Sequence, residues 1–318
     1  MHSDQFAVSL DLINRHYSEP NRNRYESKYF WEELYPLIGA AGFRSIEIPY
    51  EPVWQFGGRS GVPMNRYCIN TKYANADNYR AALARGDIDR VSGVTFDPNL
   101  FMRNANLDFY FGATGHFAGE ALAHAADLKA AYLAISPSAY YGRILHYHPH
   151  LEDELGAFTD RVADLLGGLA AKARAAGVTL VLRNEYWSVF RGERILPLLE
   201  RLPEDVKLDV DTASLTIAGI DPAAFITAQR DRIGCVHLTD TAFVDKAETW
   251  KTPNPEFPEH RATQVFRDPG TGTVDLPAIV SLLDRIGYAG PVICSARQTR
   301  DPFRALLRTR ALLSHLQN

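Results

Sequence analysis

Eight times along this chain a short run of β-branched or apolar residues is followed by a longer segment of helical period. That order is the signature of parallel βαβ units, because parallel neighbours need a crossover long enough to hold a helix. The strand-like runs are 6–12, 45–49, 91–95, 132–136, 179–183, 206–211, 234–239 and 291–295. Helices are predicted over 30–41, 77–85, 117–129, 151–176, 192–201, 222–230, 275–286 and 301–315. The fourth helix shows the pattern best: Leu155, Phe158, Val162, Leu165, Leu166 and Leu169 recur at three- and four-residue steps and make one apolar stripe. Gly177 then stops it, and Gly42, Gly287 and Gly290 mark similar ends elsewhere.

Eight such pairs predict an α/β fold, a (β/α)8 TIM barrel. A barrel of this kind takes ~250 residues and exceeds ~400 with insertions, so the 318 residues are expected to form a single domain over 1–318 without internal repeats. Four long connections, 51–76, 96–116, 138–150 and 241–274, all follow strands and should gather on the C-terminal face, where barrels bind substrate. The stretch 250–266, with Trp250, Pro253, Pro255, Phe257, Pro258 and His260, has the composition of a packed lid over the mouth or a contact with a second subunit.

A formal net charge of −4 provides no basic field for a phosphate backbone and argues against a nucleic-acid partner. Cys68, Cys235 and Cys294 are odd in number and lack CxxC spacing, which points to a reducing, cytoplasmic setting. No apolar run approaches the ~18 residues of a membrane span, and the first residues, with Asp4 and Asp11, do not have the composition of a secretion signal.

Five segments in sequence resemble the xylose isomerase-like superfamily: VKLDVDTASL at 206–215, AGIDP at 218–222, GCVHLTD at 234–240, DPGTGTVDL at 268–276 and GYAGPVI at 287–293. That superfamily includes sugar isomerases, ketose 3-epimerases, inosose dehydratases and apurinic endonucleases. The resemblance implies one divalent cation (Mn, Mg or Zn) held by a Glu after strand five, an Asp after strand six, a His after strand seven and a Glu after strand eight. Carboxylate oxygens and imidazole suit such ions, which polarise a carbonyl. Asp211 and His237 stand at two of these positions. At the other two this chain departs, with Arg183 in GVTLVLRN (177–184) and Ser295, and Ser214 replaces a substrate-contacting His.

Three arrangements follow. Glu185, two residues beyond Arg183 and so on the same side of an extended strand, takes over as ligand beside Asp211 and His237, with water or Ser295 completing the set. Alternatively, the Arg183 guanidinium stands in for the cation and pairs with Asp211. In the third the site is dead. His146, in an alternating cluster with His148 and His150, is the candidate general base, the other reading being a solvated loop. Arg297 is a candidate for substrate binding or a surface salt bridge, and Tyr140, Tyr141, Tyr186 and Trp187 line a carbohydrate site or pack the rim. Asp240 is expected to cap a turn.

The expected function is a sugar or keto-sugar isomerase or epimerase working by proton abstraction next to a carbonyl, with catalysis assigned to His146, Glu185 and His237. The alternatives are a lyase or dehydratase acting on an oxidised sugar, including a C-glycoside-cleaving type, and a non-catalytic sugar-binding barrel. The expected partners are a sugar or polyol and further copies of the chain; the C-glycoside-cleaving relatives also imply a small second subunit.

Overall fold

Eight strands alternate with helices and close on themselves in sequence order: β1 (Phe6–Ser9), β2 (Ser45–Pro49), β3 (Arg90–Phe96), β4 (Tyr132–Ile135), β5 (Thr179–Arg183), β6 (Lys207–Asp211), β7 (Ile233–Thr239) and β8 (Val292–Ser295), every neighbouring pair parallel. The computed structural model describes residues 3–13, 25–52, 62–256, 265–297 and 299–316. The expected (β/α)8 barrel is therefore present. Predicted strand limits are reproduced closely; the first strand gives way at Leu10–Leu12 to a turn of 3-10 helix capped by the Ser9 side chain.

Helices α1 (Lys28–Ala40), α2 (Arg66–Tyr73), α3 (Ala76–Arg85), α4 (Leu107–Asp127), α5 (Tyr141–Tyr147), α6 (Leu155–Ala175), α7 (Ile195–Glu200), α8 (Thr212–Ile217), α9 (Pro222–Gln229), α10 (Leu276–Arg285) and α11 (Pro302–Leu316) fill the connections. The stripe of α6 behaves as expected, with Phe158, Val162, Leu166 and Leu169 buried against the barrel, and Gly177 adopts φ +69°, the left-handed helix stop. Three connections expected to be irregular are partly helical, and 51–76 holds α2. The 96–116 stretch contains the first part of α4, started by Asn106, whose side chain accepts from the Phe109 N–H. The stretch after β4 contains α5, so His146 and His148 do not share an extended face.

Inside the barrel, Ala7, Tyr132, Ala134, Val181, Cys235 and Ile293 form a small apolar plug. Side chains two apart on a strand share a face, so each inward series continues upward into polar residues: Ala7, Ser9, Asp11; Val181, Arg183, Glu185; Cys235, His237, Thr239; Ile293, Ser295, Arg297. Cross-strand register sets one level of this interior, since Ser9 lies opposite Glu47, Glu47 opposite Gly93, and Gly93 opposite Tyr132. The Tyr132 ring spans β3 at Gly93 and donates its hydroxyl to Glu47 Oε2 at 2.7 Å. A Cβ on Gly93 would overlap that ring. Gly93→Ala should cost on the order of 1–3 kcal/mol by overpacking. A denaturant double-mutant cycle with Tyr132→Ala should recover part of the loss; strictly additive effects would contradict the ring-over-glycine packing.

Candidate active site

Two layers of charge occupy the C-terminal half of the barrel. The lower is built on β2, β5, β6 and β7. Arg183 donates from Nε to Asp209 Oδ2 at 2.6 Å, and its Nη2 lies 2.7 Å from His237 Nε2 and 3.6 Å from Glu47 Oε2. His237 Nδ1 meets Asp209 Oδ1 at 2.6 Å, its Nε2 lies 2.9 Å from Glu47, and Glu47 also accepts from Ser9 at 2.9 Å. Glu47, Asp209 and His237 have no solvent exposure, and the Arg183 side chain retains 8%. Burial and the guanidinium lower the His237 pKa, but Asp209 and Glu47 outweigh them and push it up to about 10. Burial raises Glu47, and the stronger combined pull of His237 and Arg183 leaves it below the ordinary carboxylate value; Asp209 is likewise lowered. Two cations thus face two carboxylates.

The upper layer is acidic. Arg297 Nη1 contacts both Glu185 oxygens at 2.9 and 3.0 Å and lies 3.9 Å from Asp211, while its Nη2 bonds Glu256. Trp187, fully buried, donates Nε1–H to the same Glu256 oxygen at 2.7 Å. One guanidinium therefore serves three carboxylates. Burial pushes Glu185 up to about 8 against the pull of Arg297, with Glu256 and Asp211 adding to the rise. Asp211 is also the N-cap of α8, accepting from Ser214 N–H at 2.8 Å and from the Thr239 hydroxyl at 2.8 Å.

Both layers open on a cavity of about 320 Å³ at the strand C-termini, lined among others by Asp11, Asp97, Arg143, Arg183, Glu185 and Arg297. Asp97 is exposed to this space and holds its two oxygens on Asn99 donors at 2.7 and 2.9 Å. Asp11 accepts from Ser295 at 2.6 Å, burial raises its pKa against that bond, and its Oδ1 has no hydrogen-bond partner among the described residues. Parts of the expected lid reach the mouth: Asn254 and Glu256 line the cavity, Trp250 packs on Tyr141 at 4.7 Å, and Arg297 lies 4.3 Å from the Phe266 ring centre. Phe257, Pro258 and His260 lie outside the described residues.

Several expectations change. Arg183 and Glu185 were alternatives; both point inward, one above the other. Arg183 pairs with Asp209 and not Asp211, because strand stagger sets Arg183 level with Asp209. His237 is bonded to Asp209 and Glu47 and is not gathered with Glu185 and Asp211 around one point. Ser295 faces Asp11, and the Ser214 hydroxyl lies 3.4 Å from Glu185. His146 is exposed on α5 against Tyr147 and does not line the cavity. Asp240 caps the glycine turn as expected, accepting from the Gly270 and Gly272 N–H groups at 2.9 and 2.8 Å. Glu47, Asp209, Asp97, Asp11 and Glu256 were missed. For Glu47 the signal was present: a lone carboxylate in an otherwise uncharged, buried strand needs an interior partner.

Among the described residues, the potential metal-ligand atoms within 4.8 Å of one another belong to Asp209, Cys235 and His237. Arg183 already bonds Asp209 and touches His237, so a divalent ion there would meet a fixed positive charge at contact distance. In the upper layer Arg297 stands between Glu185 and Asp211. The residues present do not fit the ion that the resemblance implied.

Known proteins agree with the fold. A 28% identical stretch of 151 residues, 47% of this chain and 46% of the other, is shared with the rhizopine catabolism protein MocC of Rhizobium meliloti. Another, 29% identical over 154 residues (47% and 51%), is shared with an inosose dehydratase of Clostridium beijerinckii. The matched stretches span about half the length of these relatives. Among solved structures, the probable 3-DHS dehydratase AsbF of Bacillus anthracis superimposes with a TM-score of 0.69 at 11% identity over 97% of this chain and 98% of that one. The 3-keto-D-glucoside 4-epimerase YcjR of E. coli does so with a TM-score of 0.63 at 17% identity over 98% of both. The family described as the xylose isomerase-like TIM barrel matches residues 37–316, and the chain belongs to it.

Proposed function

We propose that this chain is an enzyme that removes a proton next to the carbonyl of a keto-sugar or keto-polyol, with elimination of water as the outcome its acid groups favour over isomerisation or epimerisation. The observation that carries this reading is Glu185, a buried carboxyl raised to about 8, aimed with Arg297 into a cavity that also exposes Asp97. The asymmetry assigns roles. Burial pushes Asp97 up to about 7 against the two Asn99 hydrogen bonds that favour its ionised form, so it loses its proton before Glu185 and serves as base. Glu185, mostly protonated near neutrality, serves as acid. Asp97 takes the proton from carbon, the electron pair moves into the carbonyl to form an enolate, and the guanidinium groups stabilise the developing oxyanion. Glu185 then protonates the departing hydroxyl, and water leaves.

Elimination is supported by having two separate carboxyls, one to take a proton and one to give it, and by the similarity to an inosose dehydratase. Isomerisation by the same pair requires Glu185 to deliver its proton to carbon or oxygen of the enediolate. Even with Glu185 protonated, Asp11, Glu51, Asp97 and Glu256 stand around the cavity beside Arg143, Arg183 and Arg297, which leaves no surplus of positive charge to favour a sugar phosphate over a neutral polyol. His146, exposed away from the cavity, has no part in this scheme.

The test is incubation with neutral keto-sugars, inososes and sugar phosphates in D2O, followed by NMR. Deuterium exchange next to the carbonyl, with loss of water from a neutral substrate, is expected; tight binding of such compounds without exchange or turnover would establish a non-catalytic barrel instead. Glu185→Gln should lower kcat/KM by roughly 10²–10⁴-fold, the range for a lost acid–base group. In wild type, activity should fall as pH rises through about 8, where Glu185 loses its proton; the variant should lack that limb. Removing the neighbouring cation by Arg297→Met should reduce kcat/KM by on the order of 10²–10³-fold and move the remaining limb to higher pH.

A further inference from the structure

We propose that the guanidinium of Arg183 is this barrel's resident cation in place of a divalent metal, presenting its unbonded Nη1 to the cavity as the electrophile. The inference concerns what occupies the site and does not depend on the reaction proposed above. Three observations carry it. Arg183 Nε and Nη2 are fixed at 2.6 Å from Asp209 and 2.7 Å from His237, on two of the three potential ligand residues that approach within 4.8 Å. All four carboxylate oxygens of Glu47 and Asp209 already have partners, Ser9 and His237 on Glu47 Oε1, Tyr132 on Oε2, His237 on Asp209 Oδ1 and Arg183 on Oδ2, so an ion there would have to displace them. No hydrogen bond among the described residues uses Nη1, although Arg183 lines the cavity. A planar guanidinium bonded through Nε to Asp209, with Nη2 turned toward Glu47 at 3.6 Å, offers Nη1 in a fixed direction, whereas an ammonium at the end of a flexible stem does not.

The proposal separates two roles that a metal would combine. Asp209, Glu47 and His237 orient the cation, and the cavity-facing nitrogen meets the substrate oxygen. Arg183 is thus assigned as a catalytic residue, while Glu47, Asp209 and Tyr132, which donates to Glu47 at 2.7 Å, are positioning residues.

The experiment uses the full chain and manganese alone. Protein expressed with added Mn²⁺ should retain far less than one equivalent after desalting, by elemental analysis, and neither EDTA nor Mn²⁺ should shift its Tm. Arg183→Ala, or Arg183→Gln if the alanine variant does not fold, removes the competing charge and should gain Mn²⁺ binding that wild type lacks. Adding His237→Ala should abolish that gain and locate it. Stoichiometric metal in wild type with a Tm lowered by EDTA, or Mn²⁺ binding at least as tight in wild type as in the Arg183 variants, would overturn the proposal.

Discussion

The contact between Arg183 and Asp209, with His237 and Glu47 closing the ring, is the interaction on which the interior depends. Four ionisable groups with little or no exposure would be untenable singly, because the desolvation of each ion is worth several kcal/mol. Together each cation has a carboxylate within hydrogen-bond distance on another strand, and the charges cancel. Removing one partner from such a set typically costs ~3–5 kcal/mol, since it strands the others. The arrangement therefore does more to specify which strand ends face each other than to stabilise the barrel. Its reach extends beyond the charges: Glu47 is held by Ser9 on one side and Tyr132 on the other, and the Tyr132 path requires a glycine on the strand between them.

A neutral lower layer changes what the upper one can do. Because Arg183 is hydrogen-bonded below, the direct contacts to Glu185, Asp211 and Glu256 come from Arg297, and burial, with the negative charge of Glu256 and Asp211, keeps Glu185 protonated to higher pH than an ordinary carboxyl. The same residue type behaves oppositely one layer down, where Glu47 is held ionised. Position along the strand, and with it the ratio of cations to carboxylates, separates a structural carboxylate from a proton donor.

The barrel itself was legible because its signals are local and repeated: period two or continuous apolar runs, period 3.6, then a glycine. The start of α4 was missed because Gly112 and Gly115 lie in its first turns and weaken the propensity signal, while Asn106, the cap that starts it, resembles any loop asparagine. At the site, inward direction was readable for Arg183, Glu185, Asp211 and His237, but their pairing was not. Pairing depends on the stagger between strands, which set Arg183 beside Asp209, and that offset has no local sequence signature. The face expected to be shared by His146 and His148 was lost for a related reason: alternation predicts it only if the segment is extended, and α5 is helical there.

Strand stagger also explains how an arginine is accommodated where relatives are expected to carry a carboxylate. A side chain at the end of β5 projects across the barrel axis toward β6 and β7, and the long aliphatic stem of arginine carries its charge past the level of its own backbone. The guanidinium thereby reaches the imidazole of β7 and the carboxylate of β6 at once, the place a cation shared by those strands must occupy. A lysine would carry the same charge but could not hold two partners in a plane and leave a third nitrogen free. An arginine at this position, in place of the carboxylate that the resemblance implies, gives the mouth different donors inside the same eight-stranded frame.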